Sequence, residues 1–258
     1  MRRLIKLFLA CLFLGGFSAR GAEPPLKVGM ELAYPPFEMR DEKGEPQGVS
    51  VDLARALAES LGRPLEIQNL PFDGLILSLK TGKIDIILSS MTLTPERARV
   101  VDFSDPYLKT GLCLLVGTKN DAKSIADLNQ AGKTIAVKKG TTGQLYATTH
   151  LKSPQVLVLD KEAAAVLEVV QGKSDAFIYD QMSVYSHWKR NQQTTRALLE
   201  PFQQESWAIA LPKGSPMREK VNAFLKSFRD AGGFEKLGDK WLAEQKAEFK
   251  RLGIPFFF

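Results

Sequence analysis

Short apolar runs alternate with amphipathic stretches along most of the chain, as strands alternate with helices in α/β proteins. In the first amphipathic stretch, Leu53, Leu57 and Leu61 recur on one helical face, and Gly62 follows as a stop signal. Such alternation predicts parallel sheets that are covered by helices. The apolar runs predict these strands: Leu26–Met30, Leu65–Asn69, Ile84–Leu88, Lys133–Val137, Gln155–Leu159 and Asp175–Tyr179.

The predicted helices begin at residues whose side chains can accept the first free backbone N–H groups. Ser50, Asp73, Thr94 and Asp180 are the expected caps of this kind. Further amphipathic stretches predict helices after Gly140 and near the end of the chain. The predicted helices with both ends marked are Ser50–Leu61, Asp73–Lys80, Glu162–Gln171, Met217–Ala231 and Gly233–Lys246.

The β–α units form two groups, residues 26–97 and 133–180, and extended segments lie between and after them. These segments are Gly111–Gly117 and Trp207–Leu211, which we interpret as connections between two lobes. We therefore predict an α/β fold in which each lobe is a mostly parallel sheet flanked by helices. Residues 23–111 and 207–258 are predicted to form lobe 1, and residues 112–206 lobe 2.

The first 22 residues follow the plan of a secretory signal peptide, with early cations, an apolar core and then small residues. Cleavage is expected after Ala19 or Ala22, which predicts a periplasmic protein. Cys11 leaves a lipid anchor open as an alternative, although apolar sequence continues past it. Without residues 1–22 the net charge falls from +6 to +2, because 31 cations then face 29 anions.

The composition after residue 22 argues against several classes of function. No basic stripe favours nucleic acid. Cys113, His150 and His187 are too few to make a convincing zinc site, so we predict no metal and no cofactor. The sequence patterns GxSxG, HExxH, GxGxxG and the P-loop are absent, which favours a protein that is not an enzyme. We expect a monomer.

Arg97 occupies an unusual position in the segment TLTPER. Thr94 is the expected N-cap and Pro95 suits the first helical turn, but a cation is disfavoured at this end of a helix. One interpretation is that Arg97 holds an anion together with the free N–H groups of the helix start. The alternative is a surface arginine paired with Glu96 or Asp102.

Other candidate binding residues follow predicted strands, where ligands of open α/β sheets bind. Their chemistry provides hydroxyl donors, one carboxylate for an ammonium group, aromatic walls and one further acid. Asp180 has the alternative role of a plain helix cap, and Glu31 that of a solvated charge. The candidates are Glu31, Tyr34, Phe72, Ser89, Ser90, Thr92, Lys139, Thr141, Thr142 and Asp180, in addition to Arg97.

Several long motifs, in order from about Leu26 to Trp241, resemble the periplasmic polar amino acid-binding proteins of ABC transporters, solute-binding protein family 3. They are VGMELAYPPFE, GVSVDLARALAESLG, FDGLILSLKTGKIDIILSSMTLTPER, VDFSDPY, AVKKGTTG and DAFIYD. The resemblance implies the two-lobed periplasmic-binding-protein fold of type II, with two hinge strands. It also implies capture of a free polar L-amino acid by closure of the lobes, and delivery to a membrane permease.

The resemblance further implies a role for each candidate. Arg97 would hold the α-carboxylate, helped by Ser90, Thr92 and the turn Thr141–Thr142, and Asp180 would hold the α-ammonium. Tyr34 and Phe72 would flank the ligand side chain.

Glu31 occupies an acidic position that meets polar or cationic ligand side chains. Lys138 and Lys139 oppose it, because an inward-pointing lysine disfavours a cationic ligand. If both lysines point outward, Glu31 favours lysine, arginine or histidine. We expect a neutral polar amino acid, which tolerates both an acid and a lysine.

Two other functions use the same fold. One is an enzyme resembling cyclohexadienyl dehydratases, but their glutamate is not found near KKGTTGQ, where Gln144 stands. The other is a soluble sensor subunit of a receptor.

Overall fold

A computed structural model describes residues 23–256 of the chain. The predicted signal peptide, residues 1–22, lies outside the described residues. The described part contains two five-stranded sheets and a small hairpin. The hairpin consists of β2 (Met39–Arg40) and β3 (Pro46–Gln47).

The first sheet is built around a parallel core and has the strand order β4-β1-β5-β12-β6. Its strands are β1 (Leu26–Met30), β4 (Leu65–Asn69), β5 (Ile86–Ile87), β6 (Asp102–Phe103) and β12 (Ala210–Leu211). Strand β1 runs parallel to β4 and β5. Strand β12 is antiparallel to β5 and β6, so the chain returns to this sheet near its end.

The second sheet repeats this plan in the order β11-β7-β10-β8-β9. Its strands are β7 (Leu108–Gly117), β8 (Thr134–Lys138), β9 (Gln155–Leu159), β10 (Ala176–Asp180) and β11 (Thr195–Trp207). Strand β8 is parallel to β9 and β10. Strand β7 is antiparallel to β10 and β11.

The two-lobed α/β fold is confirmed, but the sheets are mixed rather than mostly parallel. Strand β12 makes the first sheet mixed because it is antiparallel to β5 and β6. Strand β7 makes the second sheet mixed because it is antiparallel to β10 and β11. The chain passes between the sheets at residues 104–107 and again at 208–209. The lobe boundaries at 111/112 and 206/207 fall within β7 and at the end of β11, and their use as a hinge stays a prediction.

Helices cover both faces of each sheet. Those of the first lobe are α1 (Val49–Ser60), α2 (Leu75–Lys80), α3 (Pro95–Ala98), α7 (Met217–Asp230) and α8 (Gly233–Trp241). Those of the second are α4 (Thr142–His150), α5 (Glu162–Val170) and α6 (Gln181–Arg190). A last helix, α9 (Ala243–Arg251), follows α8 and places Phe249 against Tyr185 of α6, with ring centroids 5.3 Å apart.

Two of the predicted helix starts are wrong. Ser50 lies inside α1, which begins after Gly48, and its hydroxyl donates to Glu38 at 2.6 Å instead of capping the helix. Asp73 lies in a short 3₁₀ turn, Phe72–Gly74, that precedes α2, and it provides no cap. Thr94 and Asp180 do cap their helices as predicted, since both side chains accept N–H groups of the first turn.

Alternate residues of the strands pack on opposite faces of each sheet, as strand geometry requires. In the first sheet Val28 and Ile86 face α1 and the C-terminal helices, whereas Ile87 faces α2. The apolar face of α1 is therefore fully enclosed, and Leu57 has no exposed surface. Leu77 of α2 lies on the outer side and is 65% exposed.

This difference gives a test of the fold with a matched pair of leucines. We expect Leu57→Ala to lower the free energy of unfolding by about 2–5 kcal/mol, because it removes buried methyl groups and leaves a cavity. Leu77→Ala should change it by no more than about 0.5 kcal/mol. Urea unfolding followed by circular dichroism measures both, and equal losses would contradict the placement of α1.

Candidate functional site

A cleft between the lobes contains a narrow cavity of about 30 Å³. The carboxyl ends of β1, β4 and β5 face those of β8 and β10 across it, which is the position expected for ligands of open α/β sheets. The first lobe contributes Glu31, Tyr34, Glu38, Phe72, Ser89, Ser90, Thr92 and Arg97. The second lobe and the crossing strands contribute Leu112, Lys138, Thr141, Thr142, Gly143, Tyr179, Asp180, Glu205 and Trp207.

All of the predicted site residues line this cavity except Lys139. Its side chain is 52% exposed, and its ammonium group lies 2.9 Å from Asp73 and 3.8 Å from Asp160. Lys138 lines the cavity instead and has only 3% of its side chain exposed. Successive side chains at a strand end point to opposite sides, so only one of two adjacent lysines enters the cleft.

Arg97 connects the two lobes through its guanidinium group. Nη1 donates to the carbonyl oxygen of Thr92 at 2.7 Å, and Nη2 donates to that of Gly140, in the other lobe, at 3.0 Å. Burial lowers the pKa of Arg97 to about 10, so the group stays protonated at neutral pH. The alternative pairing with Asp102 is not formed, because that carboxylate contacts Lys213 at 2.9 Å.

Gly140 lets the lobes approach closely at this point. Its φ is +77°, and an added Cβ would lie 2.9 Å from the Cβ of Asp73 in the first lobe. A side chain here would therefore both strain the backbone and hold the lobes apart. The Gly140 N–H donates to the side-chain oxygen of Gln144 at 2.7 Å, which fixes the turn before α4.

Asp180 caps a helix and also lines the cavity, whereas its binding of an ammonium group stays a prediction. Its Oδ1 accepts the N–H groups of Met182 at 3.0 Å and Ser183 at 3.2 Å, which caps α6. The same oxygen accepts the hydroxyl of Tyr34, in the first lobe, at 2.7 Å. Burial raises the pKa of Asp180 to about 7, although these donors oppose the shift. A ligand ammonium group next to it would favour the ionised form.

The two threonines after β8 also have partners in the closed cleft. The Thr141 side chain accepts the N–H of Gln144 at 3.3 Å and donates to the carbonyl of Lys138 at 2.7 Å. The Thr142 hydroxyl donates to Glu205 at 3.1 Å. These residues begin α4, and Thr142 and Gly143 of its first turn line the cavity. Backbone N–H groups at a helix start that lack a partner within the helix are potential donors to an anion.

Residues 26–244 match the family model for bacterial extracellular solute-binding proteins, family 3. The chain belongs to this family. The L-arginine-binding protein of Pseudomonas aeruginosa is 32% identical, over 94% of this chain and 97% of its own. The glutamine-binding protein GlnH of Bacillus subtilis is also 32% identical, over 80% of this chain and 76% of its own.

A solved structure gives the same result for the solute-binding fold. It is the ancestral amino acid-binding protein AncCDT-1, described as a precursor of cyclohexadienyl dehydratase. It superimposes with a TM-score of 0.77 at 37% identity, over 84% of this chain and 94% of its own. Within residues 23–256, no helix is long and apolar enough to cross a membrane. No group of three potential metal ligands is found among those residues.

In this solute-binding protein, Glu38 is a cavity residue that was not predicted, although it is the last residue of the motif VGMELAYPPFE. The hydroxyls of Ser50 and Ser90 donate to Oε2 at 2.6 and 3.1 Å, and that of Ser89 lies 3.4 Å from Oε1. Burial raises the pKa of Glu38 to about 8, against the effect of these donors and of Lys138. Its carboxyl group is therefore mostly protonated at neutral pH.

Ser90 has a strained backbone, which is common at binding sites. Its φ of 47° makes it the non-glycine residue with positive φ among residues 23–256. This conformation directs the hydroxyl to Glu38 while the residue lines the cavity. The strain is tolerated because Ser90 follows a buried strand and is held by the surrounding hydrogen bonds.

Glu205 was also missed, because the polar segment before Trp207 gave no signal for a strand. It lies in β11, and its Oε2 accepts hydroxyls from Thr92 at 3.0 Å and Thr142 at 3.1 Å. One threonine belongs to each lobe, so a single carboxylate joins both walls of the cleft. Burial raises the pKa of Glu205, whereas the two hydroxyls and nearby Arg97 lower it.

Glu38 gives a pH-dependent prediction for the ligand-free protein. Its pKa is about 8 when folded, and about 4.3 in an unfolded chain. Between these values the folded state holds a proton that the unfolded state has lost, so stability falls as pH rises, by up to about 1.4 kcal/mol per pH unit. Glu38→Gln has no titratable group at this position and does not show this loss. The free energy of unfolding of the variant minus that of wild type should therefore rise from pH 5 to pH 8.

Urea unfolding at four pH values across this range measures the difference. Glu59→Gln is the control, since it makes the same change at an exposed position of α1. Its difference from wild type should stay flat. A flat difference for Glu38→Gln as well would show that Glu38 is ionised in the folded protein.

Proposed function

We propose that this solute-binding protein captures a free L-amino acid between its lobes and delivers it to an ABC transporter permease from the periplasm. The observation that carries this proposal is the placement of Arg97 and Asp180 in one cavity, each from a different lobe. A free α-amino acid carries the two charges that these groups would bind. A cation and an anion held at fixed positions distinguish it from a simple acid or amine.

Each end of the ligand has a set of partners in the proposal. The Arg97 guanidinium has the planar fork that matches a carboxylate, and Ser90, Thr92 and the start of α4 add neutral donors. Asp180 receives the ammonium group. Tyr34, Phe72 and Trp207 provide aromatic walls for the side chain, and Phe72 lies beside Arg97, whose Cζ is 5.6 Å from the ring centroid.

Closure of the lobes around a ligand is the established motion of periplasmic binding proteins. In the present structure the cleft is held by contacts between Tyr34 and Asp180, and between Arg97 and Gly140. A ligand that engages both Arg97 and Asp180 requires the lobes to be together. It therefore shifts the population towards the closed form, which the permease would recognise.

We propose binding without catalysis, although a dehydratase-like enzyme was the predicted alternative. Gln144, which stands near the position considered for a catalytic glutamate, is not among the described residues that line the cavity. Its side chain instead accepts the N–H of Gly140. The relatives named above as binding arginine and glutamine support a free amino acid as the ligand.

The need for both ligand charges can be tested with a pair of compounds. A thermal-shift screen of the twenty L-amino acids selects the one that binds best. We expect its 2-oxo acid to bind more than about a hundredfold more weakly, because Asp180 loses its cationic partner in a desolvated cleft. Calorimetry compares the two, and similar dissociation constants would remove Asp180 from its proposed role.

Arg97 can be tested against a neighbouring arginine. We expect Arg97→Ala to weaken binding more than about a hundredfold, since a buried carboxylate without its partner costs about 3–5 kcal/mol. Arg97→Lys should also bind weakly, because the ammonium group cannot reproduce the planar fork.

Arg99→Ala is the control, since Arg99 is exposed and lies two residues further on. It should bind within about threefold of wild type, a change well under 1 kcal/mol. Near-normal binding by folded Arg97→Ala would contradict the proposed site.

A further inference from the structure

Glu31 and Lys138 form an ion pair inside the cavity, with Lys138 Nζ in direct contact with Glu31 Oε2. Glu31 follows β1 in the first lobe, and Lys138 ends β8 in the second. The Glu31 side chain is 17% exposed and that of Lys138 is 3% exposed. Both therefore belong to the wall of the cavity, and both have lost most of their hydration.

Phe72 helps to hold Lys138 in this position. The ammonium nitrogen lies 5.4 Å from the centroid of the ring, which is within the range of a cation–π contact. Because the same ring borders the cavity, Lys138 is placed beside the cavity and is not directed to bulk solvent. The neighbouring Lys139 points outward to Asp73 and takes no part in the contact between Lys138 and Phe72.

The ion pair with Lys138 determines whether Glu31 is available as a counter-ion for a ligand side chain. Alone, Glu31 would be a counter-ion for a cationic side chain. Here Lys138 already neutralises it, so a third charge of either sign would have to separate the pair. A buried charge that loses its partner is strongly disfavoured, so arginine and lysine, and also glutamate, meet this penalty.

A neutral side chain with both a donor and an acceptor meets no such penalty. A carboxamide oxygen can accept from the Lys138 ammonium group, while its NH₂ group donates to the Glu31 carboxylate. We propose that Lys138 is the specificity-determining residue of the site, and that its pairing with Glu31 selects an uncharged carboxamide side chain over a cationic one. This inference rests on the proposed function, since it concerns the side-chain end of the same ligand.

The inference contrasts with the arginine named for one relative. It predicts that the wild-type protein binds L-glutamine or L-asparagine more tightly than L-arginine. Removal of Lys138 should release Glu31 as a counter-ion for a cation. Removal of the Glu31 charge should leave Lys138 as a cation without its partner, and so favour an acidic side chain.

Calorimetry at fixed salt with L-glutamine, L-asparagine, L-arginine and L-glutamate tests this for wild type and three variants. In Lys138→Leu, affinity for arginine relative to the better-bound amide should rise by about tenfold or more. In Glu31→Gln, affinity for glutamate relative to arginine should rise by a similar factor. Lys152→Leu makes the same change as the first variant at an exposed site of the second lobe, and should leave all ratios unchanged.

Circular dichroism confirms that each variant is folded, and the opposite shifts expected of the two charge variants cannot both arise from loss of structure. Wild type that prefers arginine to both amides would overturn the inference while leaving the proposed function intact. So would an unchanged arginine-to-amide ratio in folded Lys138→Leu. Failure of folded wild type to bind any of the twenty free amino acids would instead overturn the proposed function, and with it this inference.

Discussion

Charged groups that lie between two lobes lose water when the lobes meet, and each then needs a partner. In the cleft of this protein, polar and charged groups of one lobe find their partners in the other lobe. Asp180 accepts from Tyr34, Arg97 donates to Gly140, and Glu31 pairs with Lys138, each time with one group from each lobe. The groups proposed to bind a ligand are thus the groups that hold the cleft together. A ligand has to replace these contacts, and its affinity is the difference between the two sets.

Glu205 adds a contact of another kind. It lies near the end of β11, where the chain leaves the second sheet, and it accepts a hydroxyl hydrogen bond from Thr92 and another from Thr142. It therefore joins both walls without using Arg97 or Asp180. The hydroxyls of these threonines are directed to a protein carboxylate, so their contribution to a ligand would come from backbone groups. Some of the contacts that favour the closed form are therefore made within the protein, and a ligand would add others.

The sequence predicted the fold best where local chemistry and long-range packing favour the same structure. Strands Leu65–Asn69 and Gln155–Leu159 have the predicted bounds, and Thr94 caps α3 as expected. Strand β11 was missed because it mixes polar and apolar side chains, most of them half-buried, without an alternating pattern. It forms because β7 provides a partner over most of its length. Such pairing depends on residues about ninety positions away, which a local pattern cannot reveal.

The site residues were likewise predicted where local sequence fixes their position, and missed where distant elements provide their surroundings. Arg97 and Asp180 stand at positions where a helix start and a strand end already restrict them, so residue type and local position were sufficient to select them. Glu38 and Glu205 were missed because their surroundings come from other elements: three serines from α1 and the segment after β5, and two threonines from separate lobes.

Lys138 and Lys139, at the end of β8, show that the sequence alone does not reveal which of two adjacent side chains enters the cleft. Two adjacent residues of one type give no indication of which side chain enters the cleft, because alternation along a strand fixes only that they point apart. The register of β8 decides it: the register that pairs Lys138 with Leu159 of β9 brings Lys138 to Glu31 and leaves Lys139 beside Asp73. Without a lysine directed into the cleft from β8, Glu31 would face the cavity as an uncompensated acid. The single lysine that enters the cleft thus separates a wall suited to a cation from one suited to a neutral amide.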